Sequence, residues 1–120
     1  MTKRFIPIWL VVLLLVVACG SDKHQLALLD SAETVMTTAP DTALALLDSI
    51  DSDRLSRADN ARYALLRSQA LDKNYIDVTN DSLINIAVEY YQNSPNYRYK
   101  GMAYYYAYQL LLLIVFGVEN

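Results

Sequence analysis

The sequence predicts an all-α protein: a short α-solenoid of antiparallel helix pairs standing behind an apolar N-terminal helix. Three observations carry this. Beyond residue 25, apolar side chains recur at three- and four-residue spacings, the period of one helix face. Glycine and proline number only three each in 120 residues. That is too few for the turns of an all-β fold, and no strand–turn–strand signal appears. Short stretches also recur at a near-constant offset. Ala27-Leu28-Leu29-Asp30-Ser31 returns 37 residues later as Ala64-Leu65-Leu66-Arg67-Ser68. Asp41-Thr42-Ala43-Leu44 returns after 40 as Asp81-Ser82-Leu83-Ile84, and Arg62-Tyr63-Ala64-Leu65 after 40 as Met102-Ala103-Tyr104-Tyr105. A helix pair of that length is a repeat unit, and a single pair cannot bury its apolar face without a neighbour.

The first element is a secretory signal, residues 1–18. Thr2-Lys3-Arg4 supplies the basic start, and Phe5 to Ala18 is apolar apart from Pro7. Its uninterrupted part, Ile8 to Ala18, is short of the roughly 20 residues that span a bilayer. Val16-Val17-Ala18-Cys19-Gly20 resembles the lipobox of bacterial lipoproteins. The resemblance implies cleavage between Ala18 and Cys19, with Cys19 as the lipidated first residue of the mature chain. Two or three acyl chains hold far better than one, since each buried methylene contributes about 0.8 kcal/mol. The alternative is an uncleaved signal anchor. Cys19 is the only cysteine, which excludes an intrachain disulfide framework and a cysteine-rich metal site. Residues 19–25 then form a short tether.

The helices follow in order. Leu28, Ala32, Val35 and Met36 share one face, and Thr37 to Pro40 break the pattern. Pro40 suits the first turn of a second helix whose face is Ala43, Leu46, Leu47 and Ile50. Asp51-Ser52-Asp53 is a polar turn. Ser56-Arg57-Ala58-Asp59 has capping-box spacing and opens a third helix with a stripe of Ala58, Ala61 and Leu65, flanked by Ala64 and Leu71. Asp72-Lys73-Asn74 ends it. Asn80-Asp81-Ser82 starts a fourth helix carrying Leu83, Ile86, Ala87, Tyr90 and Tyr91. Asn93-Ser94-Pro95 stops that one, because the residue before proline avoids the helical region. A fifth begins near Tyr99 and runs into an apolar tail.

Charge narrows the function classes. The chain carries a net −3; the mature part loses Lys3 and Arg4 and no acid, leaving about −5. No basic run of the nucleic-acid-binding kind is present. An acidic domain beside an anionic membrane stands off from it.

Residues 26–106 resemble the N-terminal part of the tetratricopeptide-repeat lipoproteins common in Bacteroides and relatives. The resemblance rests on Pro40-Asp41-Thr42-Ala43-Leu44-Ala45-Leu46-Leu47-Asp48-Ser49-Ile50 and on Ala61-Arg62-Tyr63-Ala64-Leu65-Leu66. It extends to Asp72-Lys73-Asn74-Tyr75-Ile76-Asp77, to Asn80-Asp81-Ser82-Leu83-Ile84, and to Gly101-Met102-Ala103-Tyr104-Tyr105-Tyr106. It implies a protein–protein interaction scaffold in the cell envelope, on the periplasmic side or at the outer membrane. Residues 107–120 depart from that pattern. Ala107-Tyr108-Gln109 leads into Leu110-Leu111-Leu112-Leu113-Ile114-Val115-Phe116, where a repeat would have a polar turn and a partner helix. Three readings of this tail stand open: a truncated or frameshifted product, a helix packed back as a cap, or a second membrane contact.

Chemistry-bearing residues are few. His24 is the only histidine and lies in the tether. Asp48, Asp51 and Asp53 lack the glycine and closing glutamate of a calcium loop. No phosphate loop and no Ser/His/Asp set is present, so no enzyme, metal, cofactor or small-molecule substrate is expected. Tyr90, Tyr91, Tyr104, Tyr105 and Tyr108 are candidate partner-binding residues, since tyrosine is enriched in interfaces. Thr42, Ser49 and Ser82 sit in Asp-Ser/Thr-apolar triplets resembling the O-glycosylation sequon of exported Bacteroides proteins; helix capping explains most of these triplets equally well. The function expected is a lipid-anchored scaffold that binds an unidentified protein, and the competing reading is a non-functional truncated fragment of a longer scaffold.

Overall fold

The computed structural model describes residues 23–117. The expected signal segment with Ala18, Cys19 and the start of the expected tether lie outside the described residues. Those described are all-helical, with no strand. Helix α1 covers residues 23–35, α2 Pro40–Asp48, α3 Arg57–Lys73, α4 Ser82–Tyr91 and α5 Tyr97–Phe116; a 3-10 turn, Ser52–Arg54, separates α2 from α3.

Local chemistry sets most of these boundaries. Pro40 occupies the first turn of α2, where its missing N–H costs nothing. The Asp51 side chain accepts from the Asp53 N–H, shaping the 3-10 turn. Ser56 Oγ accepts from the Asp59 N–H at 3.1 Å and donates to the Asp59 carboxylate at 2.9 Å, so the expected cap is formed at the head of α3. Asn96 Oδ1 accepts from the Tyr99 N–H at 3.1 Å, which starts α5 two residues before the expected point. Residues 23–25, at the end of the expected tether, are helical. Gln25 is buried there, its Oε1 accepting from the Asp51 N–H at 2.9 Å. The boundary expected at 106/107 falls inside α5, because Tyr106, Ala107 and Leu110 continue one packed face.

Two cores share α3. The first joins Leu29 and Ala32 of α1 and Met36 just past it with Ala43 and Leu47 of α2, Ile50, and Leu66 and Ala70 of α3. The second joins Ala61, Ala64 and Leu65 of α3 with Ile84, Ala87 and Tyr91 of α4 and Ala103 of α5. Leu29, Leu47, Leu65 and Leu66 are fully buried, each stabilising the fold by about 1.5–3 kcal/mol.

Several stripes shift from expectation. Ala58 is exposed, while Leu66 and Ala70 are buried, because α3 is covered on two sides and a one-face reading finds only part of it. In α4 the buried line is Ile84, Ala87 and Tyr91; Leu83 is half-buried and Ile86 exposed, since the side packed on α3 is rotated from the one the periodicity suggests.

A polar clamp crosses the helices. Glu33 of α1 accepts from Arg62 of α3 at 2.7 Å and from the Tyr99 hydroxyl of α5 at 2.8 Å. Arg62 also pairs with Asp30 at 2.8 Å, and Arg98 approaches Glu33 at 3.4 Å. A second tie runs from the Asn74 side chain, which donates to the carbonyl of Pro40 at 2.9 Å and of Ala70 at 2.7 Å. Arg67 and Asp48 form an ion pair between α3 and the end of α2.

Burial pushes the Glu33 carboxyl up, but hydrogen bonds from Arg62 and Tyr99 and the charges of Arg62 and Arg98 outweigh it and hold it below 4.5. A carboxylate depressed in the folded state contributes stability above its unfolded pKa and loses it as pH falls through the folded value. Unfolding of wild type and Glu33→Gln between pH 7 and pH 3 should therefore show a steeper acid loss in wild type. Equal slopes would mean the clamp carries no pH-dependent stability. Separately, Leu66→Ala should cost about 3 kcal/mol in urea unfolding; a cost under about 1 kcal/mol would exclude Leu66 from a tightly packed core.

Candidate functional site

The sequence candidates fall into three groups. Tyr91 is buried, ringed edge-on by Tyr90 at 5.1 Å and Tyr99 at 5.4 Å, so it is a core residue rather than a partner-binding one. Burial raises its phenol to about 12. Tyr90 is half-buried, with the Arg57 guanidinium 6.0 Å from its ring. Tyr104, Tyr105 and Tyr108 are exposed on α5.

Thr42, Ser49 and Ser82 are all exposed. Capping does not account for their triplets as expected. The N-cap residues of α2 and α4 are Ala39 and Asp81, both without a side-chain cap hydrogen bond. At α4 the acceptor is Asn80, which takes the Ser82 N–H at 3.1 Å and the Ser82 hydroxyl at 2.5 Å. Ser49 Oγ instead donates to the Leu46 carbonyl at 2.6 Å, at the end of α2. His24 is exposed on α1. Asp48, Asp51 and Asp53 do not converge, and among the described residues no three His, Cys, Asp or Glu side chains are grouped as metal ligands.

Two features of α5 stand out, one on each flank. On the inner flank a cleft of about 330 Å³ opens between the end of α3, the 74–81 connection, the start of α4 and the last turns of α5. Ile76, Val78, Leu83, Leu110 and Leu113 give it an apolar floor, while Asp77, Asn80 and Gln109 line its polar parts. The volume lies at the low end of ligand-sized pockets. Tyr106 closes one wall; burial, with Asp72 and Tyr105 nearby, raises its hydroxyl to about 12. No sequence signal singled out this cleft, because its walls come from residues more than forty apart.

Tyr75 frames the cleft and was also missed. It sits just past α3 with φ +57° and is 90% exposed. The Tyr75 N–H donates to the Asp72 carbonyl at 3.0 Å and the Ile76 N–H to the Leu71 carbonyl at 2.9 Å. That is a Schellman ending, with tyrosine where glycine is usual. The turn delivers Ile76 to the cleft at a backbone cost of about 1–2 kcal/mol. The readable signal was Leu71 and Ile76 at the spacing of that motif's apolar contact.

On the outer flank, Tyr97, Tyr104, Tyr105, Tyr108, Leu111, Val115 and Phe116 are exposed; Ile114, on the side of the helix that carries Ala103, is exposed too. The tail continues α5, with Ala107 and Leu110 packed against the second core, and among the described residues no helix is long and apolar enough to cross a membrane. The outer flank has a covered counterpart in α3. Ala61, Ala64 and Leu65 pack against α4 and α5, and 40 residues on they correspond to Gly101, Tyr104 and Tyr105, which are open.

Replacing Tyr75 by glycine should raise stability by about 1 kcal/mol by releasing the left-handed penalty. Thermal unfolding checks it, and a loss of similar size would show that the tyrosine ring holds the connection in place. No family model, curated protein or solved structure matches this chain.

Proposed function

We propose that the chain is a lipid-anchored, tetratricopeptide-like scaffold of the cell envelope that binds another protein through the outer flank of α5. The observation that carries this reading is the run of exposed tyrosine and aliphatic side chains from Tyr97 to Phe116 on a helix whose opposite side is packed in the core. Tyrosines offer wide, amphipathic contact area at low entropic cost and are enriched where proteins meet. Aromatic rings beside aliphatic side chains, with no charge from Gly101 to Phe116, favour an apolar helical partner.

The anchor reading rests on Val16-Val17-Ala18-Cys19. With Cys19 lipidated, helix α1 begins a few residues from the membrane surface, since residue 23 is already helical. The net negative charge of the mature chain keeps the helices off an anionic lipid face. The α5 flank then stays available to a partner in the aqueous envelope rather than to lipid.

Two measurements test the two halves of the proposal. Cys19→Ala should move the protein from the membrane to the soluble fraction; tight membrane association after that change would sink the lipid anchor. Capture from solubilised membranes should yield a saturable partner with wild type and lose it with Tyr104→Asp. Equal recovery with both would remove the outer flank of α5 from partner binding.

A further inference from the structure

The outer flank of α5 has an internal order that the binding reading does not use. Tyr97, Gly101, Tyr104, Tyr108, Leu111 and Val115 are spaced by 4, 3, 4, 3 and 4 residues, and all six are exposed. At 100° per residue they fall in one narrow stripe along about 27 Å of helix. The stripe lies directly opposite the packed face of Tyr99, Ala103, Tyr106 and Leu110. Alternating threes and fours are the spacing of a coiled-coil seam.

The spacing also reads the same from either end. Turning a second α5 antiparallel about a point near Tyr106 sets every seam residue opposite another seam residue. Tyr97 then meets Val115, Gly101 meets Leu111, and Tyr104 meets Tyr108. A smaller residue faces a larger one at the two outer levels, as interdigitating layers require, and two tyrosines meet at the centre. At Gly101 an added Cβ would meet nothing within 4 Å, so the space there is open to a neighbouring side chain. A parallel pairing would instead set Gly101 against Gly101, leaving a void. It would also gather Arg98 and Lys100 of both copies at one end, where like charges repel.

We infer that α5 pairs antiparallel with α5 of a second copy of this chain, making the protein a two-fold symmetric dimer through that seam. This rests on the reading of the outer flank as a protein-binding surface and names its partner. The area is adequate. Tyr97, Tyr104, Tyr108, Leu111 and Val115 of the seam, between 46% and 78% open, present on the order of 600 Å², and Tyr105 and Phe116 at its edge add on the order of 250 Å². A monomer's largest apolar patch is about 300–600 Å², and a stable interface covers roughly 800 Å² on each partner. A two-fold contact is also self-complementary by construction, with one patch serving both sides.

The test uses the full chain in its own envelope, with differently tagged Gly101→Cys and Leu111→Cys forms expressed together and oxidised. Antiparallel pairing predicts a mixed disulfide dimer when both are present, and little with either alone or with wild type. The 101–101 separation would be about 15 Å along the axis, too far for a disulfide. Adding Tyr108→Asp should cut the mixed dimer roughly tenfold while leaving the helical circular-dichroism signal unchanged, because the ring is exposed on the single chain. A strong Gly101→Cys dimer by itself would overturn the antiparallel arrangement. If no cross-link forms but Tyr108→Asp abolishes capture of a different protein, the second copy is wrong and the binding surface stands. If neither occurs, both readings fall.

Discussion

Helix α3 has to be covered on two opposite sides, and the rest of the fold is arranged to meet that requirement. Leu66 and Ala70 need α1 and α2; Ala61, Ala64 and Leu65 need α4 and α5. Neither core closes without it. A helix pair alone leaves one apolar face in water, so each pair is stable only against the next. The short connections follow from the same demand, since they must return each helix alongside the last.

The Glu33 clamp sets the angle at which those layers meet. Glu33, Arg62 and Tyr99 come from α1, α3 and α5, and their hydrogen bonds join the first helix to the last across the middle one. Burial opposes the charge on both Glu33 and Arg62, yet each is held charged by the other and by neighbouring donors and acceptors. Such a half-buried pair adds only modest stability, but it is directional where apolar packing is not. Tyr99 also packs edge-on against Tyr91, so the clamp and the second core share a wall.

α5 is built like α3 but covered on one side. Its packed face carries Tyr99, Ala103, Tyr106 and Leu110, and its open face carries side chains of the same apolar character. A helix that is apolar all round is a buried helix in ordinary proteins. Its outer flank is the apolar face that the described helices leave open. The cleft on the other flank depends on the strained ending of α3, where Tyr75 takes a left-handed conformation that turns Ile76 inward. Backbone strain of this kind persists only where the surroundings hold it.

Local patterns were legible in the residues. Pro40, the Ser56–Asp59 cap, the Asn74 stop and the alternation of threes and fours are short-range features, and they placed the helices and put Ala32, Met36, Ala43, Leu47, Ala61, Ala64 and Leu65 in the core. What depends on neighbours was not legible. Tyr91 and Tyr104 are the same residue type at helical positions, and only packing buried one and left the other in water. The two-sided covering of α3, the rotated face of α4, the 23–25 start of α1 and the cleft walls all arise from contacts between distant segments. Sequence by itself determined periods and stops, because those are set within one or two turns of chain. Tertiary structure decided which apolar faces are covered, because hydrophobic burial has no direction of its own and takes it from the helices that pack alongside.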